Sequence, residues 1–210
     1  MGIRLQPQTE ATTSIETAPA GPQPIEEIPT GTPGWNVIVT LPEATAPQAR
    51  RVMRRWGRLY RTDFFHVLVM AVADPDRFLQ EFGEAVAATP GILNFIAHVF
   101  AAQHTFDFAT VAEFDVKARD GALAWVPLLA AKRFHVRLHR RGLKGILSTP
   151  YEERFLDEAL LQALSARGTP GHLGFDDADF VIRVETIDLR AGMSLCSRDD
   201  LARYPFLSGD

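Results

Sequence analysis

The segment from Lys132 to Lys144 reads Lys-Arg-Phe-His-Val-Arg-Leu-His-Arg-Arg-Gly-Leu-Lys, six Lys or Arg and two His with no acid, in a chain of net charge −4. Strand side chains alternate between two faces. As a strand, this segment turns Phe134, Val136 and Leu138 one way and Arg133, His135, Arg137, His139 and Arg141 the other. The apolar side anchors it in a core while the basic side offers donors to an anion, and the expected long anionic partner is a nucleic acid. Guanidinium forks match phosphate oxygens, and glycines let backbone N–H groups come close. Arg137, Arg140, Arg141, Gly142 and Lys144 are therefore the phosphate candidates, with Arg133 beside them. His135 and His139 are candidates to stack on, or donate to, a base or ribose. They are not a zinc pair, because four residues along a strand span about 13 Å. The competing reading is a solvated basic edge that resists aggregation.

A second basic surface lies on a helix predicted over Thr45 to Arg55. Ala49, Val52, Met53 and Trp56 share its apolar side, and Arg50, Arg51, Arg54, Arg55 and Arg58 its other side. No acid stands among these arginines, so they lack i,i+4 partners and repel one another. The segment tracks phosphates or pairs with acids elsewhere.

Catalytic spacing is absent. No Gly-x-Gly-x-x-Gly, phosphate-loop or Gly-x-Ser-x-Gly motif occurs. Asp176, Asp177 and Asp179 lack the register and terminal Glu of a calcium loop and read as a turn. Cys196, the single cysteine, excludes an internal disulfide and reads as a small buried hydrophobe. No metal site and no cofactor are expected. No apolar run is long enough for a membrane helix, and no signal peptide is evident, so the expected setting is cytoplasmic.

The elements that must position these residues follow from periodicity. Residues 1–34 hold six of the fourteen prolines, one base (Arg4) and four acids (Glu10, Glu16, Glu26, Glu27). They read as a disordered acidic tail. The remaining chain carries only −1 of the net charge, so the basic strand meets little opposing field. Residues 35–104 predict a β-α-β-α-β order: strands Trp35–Leu41, Phe64–Ala73 and Asn94–Ala101, with a helix from Asp74-Pro75 burying Phe78, Leu79, Phe82 and Val86. That order suggests a ferredoxin-like unit. In residues 105–210, Thr110…Glu113 and Thr149…Glu152 have capping-box form. Gly121 and Pro127 are expected breaks, and strand Phe180–Glu185 pairs with Ala191–Ser197. Glu185 is expected to pair with Arg183 or with the basic strand.

Four blocks of the second half resemble the THUMP family. They are Phe134 to Gly142; the helix from Tyr151; Asp179-Phe180-Val181-Ile182-Arg183-Val184-Glu185; and Gly192 to Arg198 with Tyr204-Pro205-Phe206-Leu207. The resemblance covers roughly residues 105–207 and implies an RNA-binding α/β domain following a ferredoxin-like unit, with the basic segment on a central strand and glycine turn. It also implies tRNA as the partner. The final block is most similar to stand-alone members that present tRNA to a separate cytidine acetyltransferase. The expectation is thus an α/β (α+β) chain of two units, a non-catalytic tRNA-binding adaptor. An α/β enzyme with an unrecognised site and a protein–protein adaptor without RNA binding are the alternatives.

Overall fold

The computed structural model describes residues 34–43 and 45–208. The expected acidic tail lies outside them except for Gly34.

The first sheet is built from β1 (Val37–Thr40), β2 (Tyr60–Arg61), β3 (Val67–Met70) and β4 (His98–Ala101), in the antiparallel order β2-β3-β1-β4. Helix α1 (Ala46–Met53) joins β1 to β2, and α2 (Pro75–Ala88) joins β3 to β4. The order β-α-β-β-α-β holds one strand more than expected. Only Val67–Met70 of the apolar run pairs as β3, because the chain turns back at Phe64–His66 to lay β2 along it. Asp74 caps α2 by accepting from Arg77 N at 3.0 Å, with Pro75 in the first turn, as the sequence predicts.

Alternation divides this sheet cleanly. Val37, Val39, Leu68, Met70, Val99 and Ala101 pack under α1 and α2, with Phe78, Phe82, Met53 and the C-terminal Phe206 and Leu207. Ile38, Val69 and Phe100 face the other way and meet Trp35, Ala102 and Ile187.

The second sheet runs β5-β9-β8-β6-β7, with β5 (His104–Asp107), β6 (Arg133–Arg141), β7 (His172–Leu173), β8 (Phe180–Ile187) and β9 (Arg190–Ser197). β6 lies parallel to β8 and β7, and β8 lies antiparallel to β9. Helices α3 (Val111–Leu123) and α4 (Thr149–Ala166) cover one face, burying Phe114, Phe134, Val136, Leu138, Leu156, Leu160, Ile182 and Val184. Helix α5 (Arg198–Arg203) starts with a capping box between Ser197 and Asp200. Gly121 does not break α3; a Cβ there would come 3.1 Å from Met193 Sδ, so it serves close packing. Gly192 does the same between the sheets, where a Cβ would approach Ala102 Cβ to 2.8 Å.

Two expectations are corrected here. β6 is not central: β7 pairs only with Arg133 and Phe134, so the strand is an edge beyond them. Helix α4 closes that edge instead, with Asp157 Oδ1 accepting from Val136 N at 2.9 Å and Glu153 Oε1 from Leu138 N at 2.8 Å. Glu152 is likewise no capping residue. Ser148 is the N-cap and makes no side-chain cap bond, while Glu152 is buried near Asp115 of α3.

Burial, with Asp115 as neighbour, pushes Glu152 far above the usual carboxylate range. Burial also lifts Asp157 to about 7, against the hydrogen bond from Val136. A carboxyl whose folded pKa is raised binds its proton more tightly in the native state. Its contribution is intact below the unfolded value and is lost as pH rises through the folded one. Asp157→Asn keeps the acceptor oxygen and removes the titration. At pH 8 it should melt at least about 2 °C above the parent, the shift for 1 kcal/mol in a chain of this size. Near pH 4 the two melting curves should coincide, and equal melting temperatures at both pH values would contradict the assignment.

Candidate nucleic-acid interface

On the face of the second sheet away from α3 and α4, β6 presents His135, Arg137, His139 and Arg141 beside Val181, Arg183, Glu185 and Ile187 of β8. The β8 half of this face is covered by the first sheet. Glu185 is at the centre of the contact, its side chain only 2% exposed. It accepts from Arg141 Nη1 at 2.5 Å and Arg183 Nη2 at 3.0 Å. Arg183 also donates to the Leu207 carbonyl and, at 2.7 Å, to His98 Nε2 of β4. A guanidinium only donates, so that imidazole nitrogen carries its lone pair. Arg141 Nη2 reaches Thr40 Oγ1 of β1 at 3.4 Å. Burial opposes the charge on Glu185, but the groups around it, Arg183 and Arg141 among them, hold its carboxyl well below the usual range. Arg190 ties a second point, donating to the Trp35 carbonyl, Asp107 and Thr105.

The predicted phosphate row therefore divides. Arg141 is not offered to a ligand: its side chain is 10% exposed and neutralises Glu185. His135, 6% exposed, is also withdrawn from the surface; its Nδ1 lies 2.8 Å from the Gly174 carbonyl and the Phe175 ring packs on it. Arg133 is ion-paired to Asp177. Arg140 donates to the Gly142 carbonyl at 3.1 Å and so shapes the turn. Arg137 and Lys144 stay exposed, with no hydrogen bond or ion pair among the described residues. His139 is exposed beside them, its pKa lowered by partial desolvation and then by the Arg141 cation. Gly142, at φ +85°, holds the turn; a Cβ would come 2.7 Å from Asp188 Oδ1.

The arginines of the first unit do not extend this strip. Helix α1 packs on the face of the first sheet opposite the one that meets Ile187 of β8. Arg55 lies 3.8 Å from the Trp56 ring centroid and donates to the Glu81 carbonyl. Arg58 lies over Tyr60, and Arg50 donates to the Leu59 carbonyl. Arg51 and Arg54 point into solvent. Missing from the sequence reading were the α4 carboxylates along β6 and the aromatic loops at Phe65 and Phe175. The first had a signal, acids at Glu153 and Asp157 on a helix that follows the strand; the loops had none beyond single phenylalanines beside glycine or turn residues.

No family model matches this sequence, and no curated protein does. Solved structures do share the fold. PH1313 from Pyrococcus horikoshii Ot3 superposes with a TM-score of 0.54 at 12% identity, covering 76% of this chain and 53% of its own. TrmN from Thermus thermophilus gives 0.52 at 17%, covering 77% of this chain and 44% of its own. The chain thus spans about half, or less, of the structures it matches. The fold of this chain, shared with these structures, is THUMP-like α/β. The expectation of a non-catalytic adaptor for a cytidine acetyltransferase is corrected at this point. The fold recurs in TrmN, a methyltransferase, so a THUMP-like fold does not set the chain apart from enzymes. Among the described residues no helix is long and apolar enough to cross a membrane, and no group of three or more His, Cys, Asp or Glu is placed to hold a metal.

Proposed function

We propose that the open part of β6 and its turn hold RNA, with tRNA the substrate to test, and that the chain is part of an RNA-modifying enzyme of the methylase kind. The observation that carries the reading is the uncovered strip: Arg137, His139 and Lys144 remain in solvent while Arg133 and Arg141 are ion-paired within the fold. The recurrence of the fold in TrmN supports the methylase part. On this reading residues 35–104, whose β-α-β-β-α-β order is that of a ferredoxin-like unit, brace residues 105–210, the RNA-binding unit. Arg51 and Arg54 are reached only by an RNA that wraps round the edge of the first sheet.

Titrating tRNA against the chain at two salt concentrations, with a neutral polymer as control, tests the RNA reading. Binding that weakens with salt is expected. Binding no tighter than micromolar and indifferent to salt would overturn it. Incubating tRNA with the full protein and a labelled methyl donor tests the enzyme reading separately: label in the RNA is expected, and RNA that binds but gains none would refute the methylase.

A further inference from the structure

Two aromatic side chains stand in water at the two ends of the β6 strip. Phe175 is 64% exposed and Phe65 84% exposed. Isolated surface apolar residues are ordinary; these two differ in being held in place beside the uncovered cations. Phe175 follows Gly174, whose N–H donates to the Phe134 carbonyl at 3.1 Å and whose own carbonyl meets His135 Nδ1 at 2.8 Å. The loop is thereby tied to consecutive residues of β6, and the Phe175 ring lies 5.2 Å from the His135 imidazole.

Phe65 occupies the loop between β2 and β3. Thr62 Oγ1 accepts from Phe64 N at 3.1 Å and donates to the Val67 carbonyl at 2.9 Å, and the His66 carbonyl accepts from Leu41 N at 2.9 Å. The loop is pinned on both sides of Phe65. It adjoins the basic turn, since a Cβ on Gly142 would lie 3.4 Å from Phe64 Cζ. From His135 to Gly142 the strand covers about 23 Å, a span of several nucleotides.

We infer that Phe175 and Phe65 are base-stacking residues: a single-stranded stretch of RNA lies along β6 with phosphates at Arg137 and Lys144 and an unpaired base on each ring. The inference rests on the RNA reading above and names how the strip selects its ligand. An aromatic face accepts any base, because every base has a π face, whereas paired bases within a duplex expose only their edges. The acids near the Phe65 end fit this arrangement. Asp188 at the Gly142 turn and Asp63 beside it disfavour a phosphate there, so the base and not the backbone approaches Phe65. At the other end Asp177 is occupied by Arg133.

Fluorescence anisotropy with a short unstructured oligoribonucleotide and with its duplex tests the assignment. Phe175→Ala and Phe65→Ala should each weaken single-strand binding about 5- to 100-fold, the range for one lost base stack. Neither should change the salt slope, since stacking releases no counterions. Tryptophan at either position should restore affinity, and its fluorescence should be quenched on binding. Both side chains are exposed, so unchanged melting temperatures check that the variants stay folded. Should the parent bind RNA while either alanine variant matches its single-strand affinity, the stacking assignment is overturned and the RNA reading survives. A parent that binds no RNA overturns both.

Discussion

Glu185→Ala should cost the protein about 3–5 kcal/mol of stability, the penalty for stripping one partner from a buried ion pair. For a chain of this size that is a fall in melting temperature of roughly 6–20 °C. The size follows from what remains behind. Arg141 and Arg183, 10% and 11% exposed, would be left as two facing cations between the sheets. Neither can swing out without breaking its other bonds, Arg141 to Thr40 and Arg183 to His98 and the Leu207 carbonyl. Glu185→Gln should fall between, because the amide keeps one acceptor but turns an N–H toward a guanidinium. The Arg77–Glu81 bridge on the surface of α2 is the contrast: Arg77→Ala should shift melting far less. Glu185 also sets an acid limit. Its carboxyl is held below its ordinary value, so its contribution is complete above about pH 4.5 and is lost as pH falls toward the depressed value. The opposite slope from Asp157 and Glu152, whose contributions fall away from about pH 4 up through their raised values, places maximum stability near the ordinary carboxylate range. A melting temperature that barely moves in Glu185→Ala would mean that the sheets are held by the apolar contact of Ile38, Phe100 and Ile187 alone.

Local pattern carried the sequence reading as far as local physics reaches. The alternation of Phe134, Val136 and Leu138 with polar neighbours identified β6 and its buried face, because period two is a property of the strand itself. Asp74-Pro75 and Thr110…Glu113 marked helix starts, because a cap is satisfied within four residues. Alternation could not tell which basic side chains on the polar face meet water. Arg141 is withdrawn by Glu185, forty-four residues away, and His135 by the loop at Gly174 and Phe175. The same limit misplaced Glu152, whose spacing from Thr149 imitates a capping box although Asp115 of another helix sets its environment. The β2–β3 hairpin was hidden because Phe64 to Ala73 is apolar except for His66, and one histidine in an apolar run is a weak mark of a turn. The resemblance blocks located the THUMP-like fold but not the role built on it, since the same fold occurs in TrmN.

Arg137→Glu and Lys144→Glu should each weaken tRNA binding about tenfold or more, a hydrogen bond to a charged group being worth about 1.5–3 kcal/mol. Each should also lower the salt slope by roughly 0.7–0.9 for its lost phosphate contact. Neither residue has a hydrogen-bond or ion-pair partner among the described residues, so melting should stay where it is, and the loss reads on binding alone. Arg141→Glu is the instructive counterpart: it removes a cation from the same strand but places a second carboxylate against Glu185, so affinity and stability fall together. Binding lost in Arg141→Glu with Arg137→Glu and Lys144→Glu unaffected would locate the RNA elsewhere. The α1 arginines then decide how far the RNA extends. Because α1 covers the opposite face of the first sheet, Arg51→Glu with Arg54→Glu leaves the slope unchanged if RNA stays on β6. If RNA passes round the sheet edge, the slope falls by up to about two further units. Combined with the phenylalanine variants, which change affinity at constant slope, these measurements assign each part of the surface to phosphate, to base, or to neither.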